Sequence, residues 1–327
     1  MTLEKRLSAF VQVGDFIRSL DGEALASLTS EAANENPWFT EDNVRLALSG
    51  VQQNLTKENL IQWTSQYDFN HVSPKSVGLV MAGNIPLVGF HDLLAVLISG
   101  HRALVKLSSK DSKLMTFLLQ KLFSFEPDFQ ATVVIQPQAL KGFDAVIATG
   151  SDNTARHFEY YFRNVPNIIR RNRTSCAILT GKESQEELNK LGEDIFSYFG
   201  LGCRNVSKLY VPNKYDVTNL FQAWNDFEPI IHHHKYANNY DYQKSILLVN
   251  QDTFLDNGFV LLQESEKLVS PIAVLYYQRY SSREEITNQL EVVEEKIQCI
   301  VGNAVPATIP FGQAQHPALW DYADGVD

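Results

Sequence analysis

The stretch Val77-Gly-Leu-Val-Met-Ala-Gly-Asn-Ile-Pro86 joins a short apolar run to a turn of glycine, asparagine and proline. A continuous apolar run of this length is typical of a strand that is buried on both faces. Residues 87–98, which follow the turn, are apolar and have the length of a helix. A buried strand that leads through a loop into a helix predicts the first unit of a parallel α/β sheet.

The same alternation of apolar strand and helix continues to residue 162. Further strands are predicted at residues 103–107, 131–135 and 145–148, and further helices at 112–123 and 153–162. Parallel strands joined by helices form a doubly wound sheet, which places its ligands at the carboxyl ends of the strands. The residues before this sheet are predicted to be mostly helical, with Thr40 as the cap of one helix.

A second α/β unit is predicted after the basic cluster Arg170-Arg-Asn-Arg173, which lies between the two units and is expected to act as a hinge. Its strands are predicted at residues 175–179, 207–211, 245–249 and 272–277, and its helices at 185–199 and 283–294. A length of 327 residues agrees with two domains, at about 150 residues per domain.

The composition excludes several classes of protein. Apolar residues make up 44% of the chain and charged residues 20%, which excludes intrinsic disorder, collagen and coiled coil. A net charge of −10 disfavours binding to the phosphates of nucleic acid. No apolar run approaches the roughly 20 residues of a membrane span, and no secretion signal opens the chain. We therefore expect a soluble, cytoplasmic protein that binds neither nucleic acid nor membranes.

The cysteines are too few for a disulfide framework, and no pair has the spacing of a zinc site. Of the three, Cys176 and Cys299 lie within apolar segments and are predicted to be core residues. Cys203 differs, because it lies in the glycine-rich stretch Phe199-Gly-Leu-Gly-Cys-Arg-Asn-Val-Ser207. Its local sequence is therefore the one that fits a reactive thiol.

Two features around Cys203 suit a nucleophile. Gly200 and Gly202 allow a tight turn beside the sulfur, and the nearby cations Arg204 and Lys208 can lower the pKa of a thiol. A small side chain buried in the core fits the same local pattern. The local sequence alone leaves both interpretations open.

Polar side chains follow three strands of the predicted sheet. Asn84 offers an amide donor that suits an oxyanion, although Gly83-Asn-Ile-Pro86 also fits an ordinary turn. Lys106 ends the second strand, where its cation suits a cofactor ribose or phosphate, or is simply solvated. The stretch Thr149-Gly-Ser-Asp-Asn-Thr154 opens a helix. The free N–H groups of its first turn favour an anion such as pyrophosphate, although the same stretch also fits a plain helix cap.

The standard fingerprints of cofactor and metal sites are missing from the sequence. It contains no Gly-x-Gly-x-x-Gly and no Walker A motif. The run His232-His-His234 is the one conspicuous histidine cluster, but adjacent histidines cannot all point to one ion. We expect a solvated or partly packed run there and no metal site, and its role stays open.

Six segments in sequential order resemble the aldehyde dehydrogenase superfamily and, more closely, the acyl-CoA reductase (LuxC-like) family typified by the fatty acyl-CoA reductase of bacterial luminescence. They are Val80-Met-Ala-Gly-Asn-Ile-Pro86, Ala103-Leu-Val-Lys-Leu-Ser-Ser109, Ile147-Ala-Thr-Gly-Ser151, Asn172-Arg-Thr-Ser-Cys-Ala-Ile-Leu179, Phe199-Gly-Leu-Gly-Cys-Arg-Asn-Val-Ser207, and Pro310-Phe-Gly-Gln313 with Leu319-Trp-Asp-Tyr-Ala-Asp-Gly325. The resemblance implies an aldehyde-dehydrogenase-like α/β fold, with a doubly wound cofactor-binding sheet and a second α/β catalytic domain.

The resemblance also divides the chain into three parts. Residues 1–173 are expected to hold the N-terminal helices and the dinucleotide-binding domain, and residues 174–309 the catalytic domain with the nucleophilic cysteine. Residues 310–327 are expected to return to the cofactor domain or to form a subunit interface. Pairing of the segment 319–325 with another subunit would give a homodimer or a larger homo-oligomer.

Carried over to this chain, the resemblance implies a role for each candidate residue. Cys203 is the nucleophile that forms a thioester, and Asn84 forms the oxyanion hole with the backbone N–H of Cys203. The remaining residues are expected to bind the cofactor, NADPH or NADH: Lys106 with the nearby Ser108 at the adenosine ribose or its 2′-phosphate, and Gly150 and Ser151 at the pyrophosphate or nicotinamide side.

Two departures from the superfamily pattern sharpen the expected function. Hydrolytic members carry a Glu in a Glu-Leu-Gly-Gly-Lys-like segment, where this chain has Ile178-Leu-Thr-Gly-Lys182. Without that base, water is a poor acceptor for the thioester, whereas transfer to and from coenzyme A needs no water. The second departure concerns Glu266, the candidate for binding the nicotinamide ribose, which lies one residue off the usual spacing from Pro271.

These observations predict an NAD(P)H-dependent acyl-CoA reductase that forms an aldehyde, with coenzyme A as part of the substrate. One alternative is the reduction of an acyl phosphate, for which Arg204 alone would supply the basic pocket. Another is a nucleotide-binding subunit of the same fold without catalysis.

Overall fold

The computed structural model describes residues 1–69, 71–303, 309–322 and 325–326. The chain forms two compact units, one made of Met1–Asn172 with Ala318–Asp327 and the other of Arg173–Pro317. None of the helices among the described residues has the length and hydrophobicity of a membrane span.

Four helices open the first unit. They are α1 (Leu3–Ser19), α2 (Gly22–Glu35), α3 (Glu41–Asn54) and α4 (Lys57–Thr64). Each begins at a residue whose side chain accepts a hydrogen bond from a backbone N–H of the first turn, as caps do: Thr2, Asp21, Thr40 and Thr56. The predicted cap at Thr40 is therefore confirmed.

A five-stranded parallel sheet follows. Its strands are β1 (Ser76–Val80), β2 (Arg102–Lys106), β3 (Val133–Ile135), β4 (Ala145–Thr149) and β5 (Asn167–Arg170), in the order β3-β2-β1-β4-β5. The connecting helices are α5 (Phe90–Ile98), α6 (Ser112–Phe125) and α7 (Asp152–Phe162). The centres of the middle strands β1 and β2 are buried, as expected for strands that helices cover on both faces. The predicted doubly wound parallel sheet is confirmed.

The second unit contains a six-stranded sheet. Its strands are β6 (Thr174–Ile178), β7 (Val206–Pro212), β8 (Leu255–Asp256), β9 (Leu261–Glu264), β10 (Val274–Tyr280) and β11 (Ile297–Val301), in the order β11-β6-β7-β10-β9-β8. All neighbouring pairs are parallel except β8 with β9. The helices are α8 (Gln185–Phe196), α9 (Asn219–Ala223), α10 (His234–Asn250) and α11 (Arg283–Val293).

The predicted strand at residues 245–249 is wrong, because these residues end helix α10. The apolar run suggested a buried strand, but only Leu247 is buried there. Leu248 and Val249 are 59% and 82% exposed. The segment therefore faces the core with one side of a helix, and it is not a strand that is buried on both faces. The helix ends at Gln251, which has a left-handed backbone.

The cluster expected to be a hinge is partly a strand. Arg170 ends the edge strand β5, and its guanidinium forms an ion pair with Asp92 at 2.9 Å within the same unit. Strand β5 has no clear signal in the sequence, because its side chains are exposed or half-buried and not apolar throughout. The strands β8, β9 and β11 were also not predicted as separate elements.

The C-terminal segment contacts its own unit over residues 319–322. The ring of His91 lies 3.0 Å from the carbonyl oxygen of Leu319, and the indole N–H of Trp63 donates to the hydroxyl of Tyr322 at 2.6 Å. Ala323 and Asp324, which belong to the segment expected to pair with another subunit, lie outside the described residues.

Candidate active site

Cys203 lies half-buried on the turn between α8 and β7. Three consecutive residues before it have left-handed backbones: Tyr198 (φ 52°), Phe199 (φ 58°) and Gly200 (φ 75°). Glycine tolerates this conformation, whereas the two aromatic residues are strained and need packing to hold them. Tyr198 and Phe199 are both buried, so the protein holds an unfavourable backbone a few residues before the candidate nucleophile.

Asn205 fixes this turn onto the end of α8. Its amide oxygen accepts from the Gly202 N–H at 2.7 Å. Its amide nitrogen lies within hydrogen-bond distance of three carbonyl oxygens, those of Asp194 (3.2 Å), Ile195 (3.3 Å) and Ser197 (2.8 Å). Asn205 is 2% exposed, and a buried amide satisfied at both ends is a rigid support. Sequence reasoning missed this residue, for which the only signal was a polar side chain at the entry to an apolar strand.

The carbonyl oxygen of Cys203 has its own support. The Ser175 hydroxyl donates to it at 3.1 Å. The same hydroxyl oxygen lies 3.0 Å from the Cys299 sulfur and accepts from the Cys299 N–H at 3.2 Å. Cys176 and Cys299 are buried, as predicted, and burial raises the pKa of the Cys176 thiol to about 12. Both are therefore core thiols, in contrast to the half-buried Cys203.

Arg204 and Asp194, on either side of the Cys203 turn, bind the segment 312–314. Arg204 is buried and donates from Nε to the carbonyl oxygen of Ala314. Asp194 is also buried and accepts from the Gly312 and Ala314 N–H groups at 2.7 and 2.9 Å. Burial raises the pKa of Asp194 to about 6, although both N–H groups oppose the shift. The Pro-Phe-Gly-Gln segment named in the sequence is thus fixed beside the Cys203 turn.

The first unit brings five of the predicted residues to one edge of its sheet. In the strand register, Val80 of β1 pairs with Lys106 of β2 and with Ala148 of β4. The loops after these three parallel strands therefore share an edge, and they carry Asn84, Lys106, Ser108, Gly150 and Ser151. The other two predicted residues, Cys203 and Glu266, belong to the second unit.

The loop that carries Asn84 is held at both ends. The Asn36 amide donates to the Gly83 carbonyl oxygen at 3.2 Å, and the Asp111 carboxyl accepts from the Leu87 N–H at 2.7 Å. Leu87 itself has a left-handed backbone (φ 59°). Asn84, between these anchors, has an exposed side chain. An exposed amide on a fixed loop is an arrangement that suits a hydrogen-bond donor to substrate.

Two details of this edge concern glycine and buried charge. A Cβ atom on Gly83 would lie 2.4 Å from the Ser108 Oγ, so only glycine fits there. Asp111 is 2% exposed, and burial raises its pKa to about 8 despite the hydrogen bond from Leu87. Its second oxygen, Oδ1, is buried and has no hydrogen-bond partner in the described part of the chain.

The end of β4 forms a capped helix start. The Ser151 hydroxyl oxygen accepts from the Thr154 N–H at 3.4 Å and caps α7. A Cβ atom on Gly150 would lie 3.0 Å from the Thr154 side chain, so the backbone passes close to the helix. The helix cap that was one interpretation of this stretch is present at Ser151. The exposed start of α7 also leaves N–H groups for an anion.

The histidine run is partly packed, as expected. The ring of His233 lies 4.3 Å from that of Phe199 and stacks on His234 at 5.2 Å. Across residues 1–69, 71–303, 309–322 and 325–326, no group of three His, Cys, Asp or Glu side chains is placed to hold a metal ion.

The fold is similar to that of solved aldehyde dehydrogenases. A P. syringae indole-3-acetaldehyde dehydrogenase mutant, in complex with NAD+ and IAA, matches with a TM-score of 0.70 and 12% identity over 94% of this chain and 73% of that one. Aldehyde dehydrogenase 21 from Physcomitrella patens, in complex with the product succinate, matches with a TM-score of 0.65 and 12% identity over 93% of this chain and 74% of that one. An aldehyde dehydrogenase from Bacillus cereus, in complex with NAD+, matches with a TM-score of 0.65 and 15% identity over 92% of this chain and 72% of that one.

The sequence comparison identifies the family. No curated protein matches the chain. The family model described as acyl-CoA reductase (LuxC) matches residues 46–223, which is more than half of the chain and includes both Asn84 and Cys203. The chain therefore belongs to the LuxC family of acyl-CoA reductases and has the fold of the aldehyde dehydrogenases.

Proposed function

We propose that the protein reduces an acyl-CoA thioester to an aldehyde through a covalent thioester on Cys203. The observation that carries this function is the Cys203 turn, in which a half-buried thiol follows a strained backbone and is fixed by Asn205 and Ser175. Strain that is held by the surrounding structure is typical of functional sites. A core cysteine, such as Cys176, needs no such support.

The first half of the reaction is acyl transfer. The Cys203 thiolate attacks the carbonyl carbon of acyl-CoA, a new C–S bond forms, and the bond to the coenzyme A sulfur breaks. The proton lost by the thiol is returned to coenzyme A, which leaves as a thiol. Asn84 and the backbone N–H of Cys203 are the proposed donors to the oxyanion of the tetrahedral intermediate.

The second half is reduction of the thioester. NADPH or NADH, when bound, supplies the hydride that turns the acyl carbon into an aldehyde while the Cys203 sulfur leaves. The carboxyl edge of the first sheet fits such a dinucleotide, because a lysine, a close-passing glycine and a helix start meet at the carboxyl ends of β1, β2 and β4. We assign Lys106 and Ser108 to the adenosine ribose or its 2′-phosphate, and Gly150 and Ser151 to the pyrophosphate or the nicotinamide side. Glu266 is assigned to the nicotinamide ribose.

The surroundings of β6 favour reduction over hydrolysis. Ile178 stands where hydrolytic aldehyde dehydrogenases carry their general base, and it is 1% exposed in an apolar cluster with Tyr210 and Ile286. A position of this kind cannot activate water. The thioester therefore persists until coenzyme A or hydride reaches it.

The contacts of Arg204 support acyl-CoA over the acyl-phosphate alternative. That alternative depended on Arg204 as a phosphate ligand, but Arg204 is buried and binds the carbonyl oxygen of Ala314. A steady-state comparison of acyl-CoA with acyl phosphate, each with NADPH and with NADH, tests the assignment. We expect aldehyde from acyl-CoA, and none from it in Cys203→Ala. Equal aldehyde formation by that variant, or turnover of acyl phosphate alone, would refute the proposed function.

A further inference from the structure

We propose that Lys208 is a positioning residue for hydride transfer, because it holds the loop that carries Glu266 against the strand that begins directly after the Cys203 turn. This inference rests on the proposed function. In this role Lys208 contacts neither substrate nor cofactor. It acts through the position of Glu266.

Lys208 is an unusual core residue. It lies on β7, it is 0% exposed, and its ammonium donates to the carbonyl oxygens of Ser265 and, at 3.2 Å, of Lys267. The ring of Tyr210 lies 5.5 Å from the ammonium nitrogen. A buried charge is unfavourable, and an apolar side chain of similar volume would fill the same space without that penalty. Burial also lowers the pKa of Lys208 to about 8. A lysine here therefore needs a specific reason.

An irregularity in the sheet directs a second side chain to the same loop. Ser175 pairs with Val206 and Cys176 with Lys208, so β7 has one extra residue, Ser207. Neighbouring side chains on a regular strand point to opposite faces, whereas a bulge re-aims one of them. The Ser207 hydroxyl donates to the carbonyl oxygen of Leu268 at 3.0 Å. Ser207 and Lys208 thus anchor the same loop.

These contacts surround Glu266 on the backbone. The carbonyl oxygens of residues 265, 267 and 268 are all bound by β7 side chains. The Ser265 N–H also donates to the carbonyl oxygen of Tyr277 on β10 at 3.0 Å. The Glu266 side chain itself is exposed. The loop therefore presents an exposed carboxylate from a fixed backbone, as a ligand for a ribose requires.

The consequence is a rigid link between the two halves of the reaction. Cys203, which would carry the acyl group, lies on the turn that leads into β7, and Lys208, which anchors the loop, lies near the start of that strand. Hydride transfer depends on the distance between donor and acceptor, and a displacement of about 1 Å can lower a rate by about 10²-fold. Acyl transfer from coenzyme A does not use this loop, so only the reductive half should depend on Lys208.

The test separates the two halves in Lys208→Met, which keeps the apolar volume and removes the donors. Glu266 and Lys267 of the loop are exposed, so we expect the variant to fold. We expect acylation of Cys203 by acyl-CoA without cofactor to stay within about twofold of wild type. Reduction of the preformed acyl-enzyme by NADPH or NADH should fall about 10- to 100-fold. Lys208→Arg, which keeps the charge and donors, should recover most of the loss.

Three further variants distinguish positioning from general damage. Leu290→Ala removes apolar volume from the cluster that contains Tyr210, so it should lower stability and leave the reduction rate unchanged. Glu266→Gln should weaken binding of NADPH, measured by the fluorescence of the bound nucleotide. The double variant with Lys208→Met should bind it no more weakly than Glu266→Gln alone, because both changes act through one contact.

A wild-type reduction rate and wild-type NADPH binding in Lys208→Met would overturn the inference, as would equal loss of acylation and reduction. Failure of the wild-type protein to become acylated would instead refute the proposed function. The NADPH binding of Glu266→Gln and of its double variant with Lys208→Met would still decide the role of Lys208.

Discussion

Asn205 accepts the backbone N–H of Gly202 at 2.7 Å, one residue before the candidate nucleophile, while its amide nitrogen faces the carbonyl oxygens at the end of α8. One side chain thus joins a helix end to the Cys203 turn. The position of the thiol depends on this amide as much as on the glycines around it.

Asn205→Ala should impair both stability and acylation. Removing the amide leaves a buried N–H and buried carbonyl groups without partners, which costs about 1–3 kcal/mol per unsatisfied group. We expect a lower free energy of unfolding in denaturant and a slower single-turnover acylation of Cys203. Asn189→Ala is the control, since Asn189 also donates to a main-chain carbonyl, that of Ala223, but lies away from the turn. An acylation rate in Asn205→Ala equal to that of the control would show that the turn does not need this support.

Asn84→Ala should slow the reaction with little effect on stability. The side chain is exposed and other residues, Asn36 and Asp111, anchor the ends of its loop, so we expect only a small change in stability. Loss of one oxyanion donor lowers a rate by about 10²–10³-fold. The measurement is kcat for aldehyde formation together with the thermal unfolding temperature. A drop of less than about threefold in kcat would remove Asn84 from the oxyanion hole.

Gly83→Ala should disturb the Asn84 loop, and a second substitution should repair it. The new Cβ would lie 2.4 Å from the Oγ and 2.8 Å from the Cβ of Ser108, so the loop must move. Ser108→Gly removes both atoms, and the double variant should recover most of the activity that Gly83→Ala loses. Ser108→Gly alone shows how much the hydroxyl itself contributes to cofactor binding. A double variant no better than Gly83→Ala would mean that the clash is not the cause of the loss.

Asp111 should give the protein a stability that falls as the pH rises. Its pKa is raised from 3.8 to about 8, so the folded state keeps a proton that the unfolded chain has lost. Its contribution is present in full below about pH 4 and is lost as the pH rises to about 8, at about 1.4 kcal/mol for each pKa unit of difference. Asp194 acts in the same direction, up to about pH 6.

Asp111→Asn isolates this effect, because asparagine still accepts from the Leu87 N–H and cannot ionise. The free energy of unfolding of the variant should depend less on pH than that of wild type between about pH 4 and 8. Parallel pH profiles for wild type and Asp111→Asn would contradict a buried, protonated Asp111.

The first sheet could be predicted because its central strands are continuous apolar runs. Residues 77–81 and 103–107 fall on β1 and β2 for this reason. Strand β5 could not, since its side chains are only partly buried and it ends in Arg170. The run at 246–249 shows the limit of the same rule, because a short apolar stretch at the end of a helix looks like a strand until its burial is known.

The candidate site likewise contains residues that the sequence reveals and residues that it does not. Cys203 and the Asn84 loop are recognisable because glycines and turn residues mark them in the sequence. The supports are not, because Asp111 reaches back to Leu87 and Lys208 reaches forward to Ser265, far along the chain. A buried polar residue whose partner is a distant backbone group leaves no local spacing to read. Gly202 is a related case, since its backbone is not left-handed and its role is the N–H bound by Asn205.

The most direct measurement is the mass of the intact protein after mixing with an acyl-CoA in the absence of cofactor, followed by addition of NADPH or NADH. We predict a gain of one acyl group, mapped by peptide analysis to Cys203, and its release as aldehyde when the nucleotide is added. An acyl group on Cys176 or Cys299, or its release as a carboxylic acid, would contradict a reductase that works through Cys203.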